Sequence, residues 1–490
     1  MNERVANVEG RAAFAQVIDG AAEVTGEGGT LDVVCPSDGL PFATVPRGGA
    51  NDVDRAVTAA RRAFESEWGA TPAVERGRLL LRLSEAVSAR ADELSALESR
   101  DTGKPLAQGR ADIAALARYL EFYAGGADKV HGETIPIAGD FVALTLREPH
   151  GVVAGIIPWN YPAQILGRVA GAALAMGNAL VVKPAEDACL SVIRVAQLAG
   201  EVGFPPGAFN VVTGLGREAG AALAAHGDVD FVTFTGSPAT GTAIAQAAAA
   251  NNLGTTMELG GKSPQIVFAD ADMDAALPVI VNAIIQNGGQ TCSAGSRVLI
   301  ERSAYAAVTA RLAEAFRELE AGPHDGDHRL GALINAKQHA RVSEMCGRAR
   351  AAGAEVLAEG RIAEGAPEGG YYHAPVLFGG VDVASEMGRE EVFGPVLAAF
   401  PFDTEDEAVR LANGTDYGLV AGVWTGDAKR SVRVAKRVRA GQVYVNGYGA
   451  GGGIELPFGG SRKSGHGREK GFEGLIHMSA TKTIVLNHGA

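Results

Sequence analysis

Cysteine is scarce. Cys35, Cys189, Cys292 and Cys346 are the whole supply in 490 residues. No two stand as C-x-x-C and none has a histidine at metal-ligand spacing, so no metal site is expected. A disulfide framework belongs to small, cysteine-dense secreted domains, and this chain is neither small nor dense. Long apolar runs are missing as well. The most apolar stretch, residues 169–182, is cut by Gly171, Gly177 and Asn178 and flanked by Arg168 and Lys183, too short to span a bilayer. Residues 1–16 carry Glu3, Arg4, Glu9 and Arg11, without the apolar core of a secretory signal and too acidic for a transit peptide. A soluble, cytoplasmic protein is the expectation. Positive charge is in deficit: 44 Lys and Arg stand against 57 Asp and Glu, a net charge of −13 spread along the chain. That balance disfavours nucleic acid and anionic membranes as partners.

What is present is a globular composition, 47% hydrophobic and 21% charged, long enough for two or three domains. From Gly151 to Gly260 short β-branched runs (152–157, 179–182, 209–212, 231–234, 255–259) alternate with Ala-rich helical stretches (163–176, 189–202, 218–226, 240–250). Buried parallel strands with crossover helices give this rhythm, so the segment reads as a doubly wound α/β sheet. Helical stretches before it, 53–65 and 74–123, are expected to cover one face. A second alternation runs from 265–268 to about Val445, with strands at 297–300 and 419–424 and helices at 304–319 and 337–352. Two segments fit neither: 134–148 reads as an extended hairpin and 480–486 as a late strand. Both look like edge strands awaiting a partner, which suggests assembly between subunits.

Ligands bind beyond the carboxyl ends of such strands. After the first comes Pro158-Trp159-Asn160-Tyr161-Pro162, either a rigid corner or a turn whose Asn160 amide supports a developing oxyanion. After the second, Lys183-Pro184-Ala185-Glu186 offers a lysine and a carboxylate to the hydroxyls of an adenosine ribose, or a solvated charge pair. Glu186 would repel a 2′-phosphate, favouring NAD over NADP. Gly214-Leu215-Gly216-Arg217-Glu218-Ala219-Gly220 carries one residue too many for the G-x-G-x-x-G fingerprint. Phe234-Thr235-Gly236-Ser237 opens a helix whose N–H groups, with Ser237, could hold a pyrophosphate. Glu258-Leu259-Gly260-Gly261 ends the last strand, and Asn287-Gly288-Gly289-Gln290-Thr291-Cys292 ends a helix of the second domain. A thiolate and a carboxylate meeting at an interdomain cleft suit thioester chemistry, one attacking and the other activating water. No histidine lies in these turns, which weighs against a Cys–His pair.

In this order the motifs resemble the aldehyde dehydrogenase superfamily of NAD(P)-dependent, non-phosphorylating enzymes, over nearly the whole chain. Glu391-Val392-Phe393-Gly394-Pro395, Asn413 with Tyr417-Gly418-Leu419, Pro457-Phe458-Gly459-Gly460 and Ser464-Gly465-His466-Gly467-Arg468-Glu469 extend the match. The resemblance implies a Rossmann-type NAD-binding domain (1–130 and 149–258), an α/β catalytic domain (259–462) and bridging strands (131–148 and 475–488) that build a homodimer or homotetramer. It makes Cys292 the nucleophile and Glu258 the general base, with Asn160 and the Cys292 backbone N–H as oxyanion hole. Lys183 and Glu186 would hold the adenosine ribose, Ser237 and the Trp159 region the pyrophosphate, and Glu391, beside Phe393, the nicotinamide ribose. Ile156, Pro158, Ala185, Gly216, Phe234, Gly236 and Leu259 would complete the cofactor contacts. Tyr161, Arg168 and Phe458 would line a substrate tunnel, and Glu469 would relay protons. The substrate implied is a small-molecule aldehyde, oxidised irreversibly to a free acid, since members that acylate coenzyme A typically lack the glutamate at 258.

Two departures stand out. A family lysine after the first catalytic turn is replaced by Val169, leaving Glu469 to relay alone, and Arg168 stands where many relatives carry an aromatic. Residues 447–453, Gly-Tyr-Gly-Ala-Gly-Gly-Gly, replace a bulkier loop at the tunnel mouth. Together they point to a bulky, aromatic or carboxylate-bearing aldehyde, unless Arg168 turns away to pair with an acid. An acyl-phosphate reductase of the same fold and a catalytically silent relative are the alternatives.

Overall fold

The computed structural model describes residues 6–8, 11–449 and 453–489. The loop at 447–453 therefore lies partly outside the described residues. The first large sheet has eight strands in the order Gly465–His466, Gly254–Glu258, Phe231–Thr235, Val152–Ile157, Ala179–Pro184, Phe209–Val211, Gln16–Ile18 and Ala21–Glu23. Its five central strands are parallel. Val152–Ile157, Ala179–Pro184 and Phe231–Thr235 are buried at every position, which is why they read as continuous apolar runs. Chain order reverses at Val152–Ile157, whose successor Ala179–Pro184 lies on one side and Phe231–Thr235 on the other. That reversal opens a crevice at the strands' carboxyl ends.

Helix Pro162–Ala175 starts on a proline at its first turn, where no N–H is needed. A Cβ on Gly171 would lie 2.6 Å from the Tyr123 ring, so only glycine lets helix Leu106–Gly126 pack this closely. The helices expected as one covering layer divide instead. Ala50–Phe64 packs directly on Val152–Ile157 and Ala179–Pro184, whereas Ala73–Ala89 and Leu106–Gly126 stack on Pro162–Ala175 as a second layer. The helix expected at 218–226 is also different: Gly216–Gly220 forms a π-helical turn and only Ala221–Ala224 is α-helical. An N-terminal four-stranded sheet, Ala6–Val8, Arg11–Ala13, Pro41–Pro46 and Thr30–Val34, has no counterpart in the sequence reading.

The second large sheet runs Glu355–Glu359, Val376–Gly379, Val396–Phe402, Arg297–Glu301, Pro264–Val267, Val420–Trp424 and Gln442–Val445, parallel except at its first pair. A third sheet runs in the order Ser479–Asn487, Phe141–Pro149, Thr134–Ile135, with both pairs antiparallel. The hairpin and the late strand are thus each other's partner within the chain, from Ser479 opposite Pro149 to Asn487 opposite Phe141. Among the described residues, no helix is long and apolar enough to cross a membrane.

Candidate active site

Helix Met273–Ile285 ends in a turn whose next residues take positive φ: Asn287 at +50°, Gly288 at +61° and Gly289 at +74°. A Cβ on Gly289 would stand 2.1 Å from the Gly394 carbonyl oxygen, so the chain reverses there only with glycine. Gln290, fully buried, fixes the far side of the turn by accepting from the Ile334 N–H (2.9 Å) and donating to the Asn287 carbonyl (3.0 Å). Cys292 emerges half-buried against Leu419, Val420 and Phe458, with Tyr444 and Tyr448 beside them. Tyr448 donates to the Ser293 carbonyl at 2.6 Å, and the Tyr161 and Thr291 hydroxyls meet at 2.9 Å.

Asn160 reaches this turn from the end of strand Val152–Ile157. Its Oδ1 accepts from the Tyr161 N–H (3.1 Å) and its Nδ2 donates to the Gln290 carbonyl (3.0 Å), which fixes the amide's orientation. The second Nδ2 proton has no acceptor among the described residues. Glu258 closes strand Gly254–Glu258, 1% exposed, with neither carboxylate oxygen bonded among the described residues. Burial and the like charge of Glu469 push its pKa well above the usual carboxylate range, against the pull of Arg168 and Arg468. Burial pushes the Cys292 thiol up to about 12, again against Arg168. The resting group is therefore a thiol, and it needs a base.

Arg168 projects from helix Pro162–Ala175 into the same space. Its guanidinium lies 5.1 Å from the Phe458 ring centre and 5.9 Å from that of Tyr119, and 3.9 Å from Glu469 Oε2. Glu469 is held by the Thr233 hydroxyl (3.3 Å) and by reciprocal backbone bonds to Phe458 (2.7 Å each). Val169, one residue along, sits in the core over Gly155.

A polar track follows the carboxyl ends of the first sheet. Lys183 Nζ lies 2.7 Å from Glu186 Oε2, and the Gly216 N–H donates to Glu186 Oε1 (3.3 Å). Burial raises the Glu186 pKa, but Lys183 and the Gly216 N–H outweigh it and the carboxylate is held ionised. Ala185 N–H bonds the Ile157 carbonyl (2.9 Å), bringing these residues beside Pro158 and Trp159. Ser237 caps helix Pro238–Ala250 by accepting from the Thr240 N–H, while a Cβ on Gly236 would strike the Phe234 ring at 2.4 Å. Ile156, Phe234 and Leu259 are buried beneath this track, and the Leu259 N–H bonds the Ser464 carbonyl. At its far end Glu391 accepts from the Gly261 N–H (2.9 Å), and burial lifts its pKa to about 7. Phe393, at φ +58°, meets the Trp159 ring edge-on at 5.4 Å between centres. A carboxylate–ammonium pair, a capped helix start at the reversal point and a second carboxylate further along fit the two riboses and pyrophosphate of a dinucleotide.

The profile of the aldehyde dehydrogenase family matches residues 24–484. The chain belongs to that family. It is 41% identical over 466 residues to a hydroxyisobutyraldehyde dehydrogenase of Mycolicibacterium austroafricanum, covering 94% of this chain and 91% of that one. A crystal structure of a candidate aldehyde dehydrogenase from Burkholderia cenocepacia superposes at TM-score 0.96 with 61% identity, covering 97% and 100% of the two chains. A betaine aldehyde dehydrogenase from Staphylococcus aureus in complex with NAD+ gives 0.94 at 36% identity, covering 98% and 95%.

Cys292, Glu258, Arg168, Phe458 and Glu469 lie close to one another, with Asn160 and the buried Tyr161 bonded to the turn that leads to Cys292. Sequence reasoning missed the groups that hold them. Gln290 was visible only as the residue before Thr291. Lys104 was visible only as a lone lysine in Gly103-Lys104-Pro105, yet it is 1% exposed and bonded to the Asn160 carbonyl (2.9 Å). Lys262, 2% exposed and lowered to about 7 by burial and by Arg297, also escaped notice.

Proposed function

We propose that this protein oxidises an aldehyde to a free carboxylic acid, with NAD as hydride acceptor, through a thioester on Cys292. The carrying observation is that Asn160, whose amide is tied to Gln290, faces the turn that bears Cys292, while Glu258 is buried nearby with a carboxylate unbonded among the described residues. Cys292 Sγ attacks the aldehyde carbon and its proton passes to a base. The free Asn160 N–H and the Cys292 backbone N–H support the oxyanion. NAD, when bound, would supply the hydride acceptor, held by Lys183 and Glu186 at one ribose and by Glu391 at the other. Loss of hydride leaves the thioester. Glu258 then takes a proton from water, which attacks the thioester, and the acid departs with Cys292 restored.

Glu258 supports hydrolysis over transfer to coenzyme A, and Glu186 supports NAD over NADP because a 2′-phosphate would meet its negative charge. Arg168 supports a carboxylate-bearing aldehyde, with the rings of Phe458, Tyr119, Tyr444 and Tyr448 supporting a bulky or aromatic one. It also argues against cationic aldehydes, since its guanidinium occupies the faces of Phe458 and Tyr119 that a quaternary ammonium would use. We read the protein as a cytoplasmic homodimer or homotetramer joined through the third sheet. Rapid mixing with NAD and a panel of aldehydes, with product analysis, tests the chemistry. The expected result is a burst of NADH and one acid per NADH, lost in Cys292→Ala with NAD binding kept. Most of the activity surviving in that variant would refute the nucleophile, and a kcat/KM with NADP equal to that with NAD would refute the cofactor preference.

A further inference from the structure

Lys104 occupies the turn between helices Ala91–Thr102 and Leu106–Gly126, where a lysine ordinarily reaches for water. Gly103 ends the first helix at φ +78° and Pro105 begins the next, and the lysine between them is buried. An ammonium carries three protons to donate. Glu98 Oε1 lies 3.3 Å from Nζ and Asp112 Oδ2 is bonded to it, so two acids already answer its charge. Nζ is also bonded to the backbone carbonyl of Asn160, at 2.9 Å. That same carbonyl accepts from Asn287 Nδ2 at 2.8 Å, which fills both its lone pairs. Lys104 belongs to the helical layer of the first domain and Asn287 to the turn that leads to Cys292. The residue they clamp from two sides is the one whose side chain aims at the oxyanion.

We propose that Lys104, together with Asn287, is a positioning residue that holds the Asn160 amide at the place where the oxyanion forms. This rests on the reading of Asn160 given above. The two acids leave one ammonium proton to place, and burial demands an acceptor for it. Here the third bond crosses to the catalytic turn.

A double-mutant cycle tests it. With Lys104→Met, NADH formation in a single turnover should slow by about ten- to a hundredfold, as expected when an oxyanion donor is loosened rather than removed. NAD affinity and alkylation of Cys292 by iodoacetamide, which forms no oxyanion, should stay near wild type. In an Asn160→Ala background the same substitution should cost less than about twofold, because no amide remains to position. Equal losses in both backgrounds, or alkylation slowed as much as turnover, would overturn the proposal. Should Lys104→Met fail to fold, Asn287→Gly removes the other donor without disturbing a buried charge and tolerates the positive φ, and it enters the same cycle with the same expected outcomes. An Asn160→Ala variant that forms NADH in a single turnover at the wild-type rate would refute the reading of Asn160 itself, whereas a slowed Asn160→Ala with an additive cycle refutes only the positioning role.

Discussion

A fixed positive charge beside the proposed nucleophile biases every ionisation within its reach, and Arg168 has several such groups around it. It opposes burial at Cys292, at Glu258 and at Glu469. An arginine does not give up its proton, so it serves as counter-charge where a lysine would relay. It pairs with Glu469 at 3.9 Å and contacts Tyr119, but its buried Nε has no partner among the described residues and could meet a substrate carboxylate. Arg168→Ala should therefore lower kcat/KM for an aldehyde bearing a carboxylate by about ten- to a hundredfold, the worth of a charged hydrogen bond. A neutral aldehyde of similar size should change far less, and equal losses on both would contradict anion recognition. Glu258 carries a second expectation. A base works only when deprotonated, and burial with Glu469 holds this carboxyl well above the usual range. The steady rate should therefore keep climbing with pH above the range in which an ordinary carboxyl is already ionised. Glu258→Gln should keep the first-turnover burst and lose that rising limb, which stopped-flow and steady-state profiles can separate. Arg168 and Val169 could be singled out in the sequence because they interrupt an otherwise matching pattern. Lys104 could not, because its partners Glu98, Asp112, Asn160 and Asn287 converge only through tertiary packing.

At the scale of elements, the turn from Asn287 to Gly289 is the part most exposed to a single substitution. Gly289→Ala forces a Cβ to within 2.1 Å of the Gly394 carbonyl oxygen at a φ of +74°. Strained backbone alone costs on the order of 1–3 kcal/mol, and relief of the overlap must move the segment that carries Cys292. Chemical denaturation should register that loss, and turnover should fall by a larger factor than the loss of folded protein explains. An unchanged rate in folded variant would show that the turn does not set the thiol's position. The strands at 152–157, 179–184 and 231–235 were legible because a strand buried on both faces leaves an unbroken apolar run. The π-helical turn at Gly216–Gly220 and the three-residue strands near the N-terminus were not, since neither is long enough to impose a period.

For the whole molecule, the third sheet is the feature with most left to bury. Phe141, Val142, Val485 and Leu486 are all exposed on it, and Ser479–Asn487 leaves one edge unpaired. Apolar side chains beside an open edge favour a second copy of the chain. Replacing Val485 and Leu486 with lysine should shift sedimentation toward a smaller species, while an unchanged distribution would place the interface elsewhere. That two segments would be strands was readable from their pattern, but that they would meet each other was not, because more than three hundred residues separate them. The same distance in sequence has a consequence at the other side of the molecule. Gly465–His466 pairs with Gly254–Glu258, and Glu469 follows directly. During synthesis the strand that ends in Glu258 thus keeps one side open until residues about two hundred positions further along emerge. The dinucleotide track, built largely from earlier residues, can form well before the pocket around the base is walled in. Such long-range closure is slow relative to local folding. In time as well as in space, then, the wall beside Glu258 is a late addition, closed by residues made long after most of the proposed dinucleotide track.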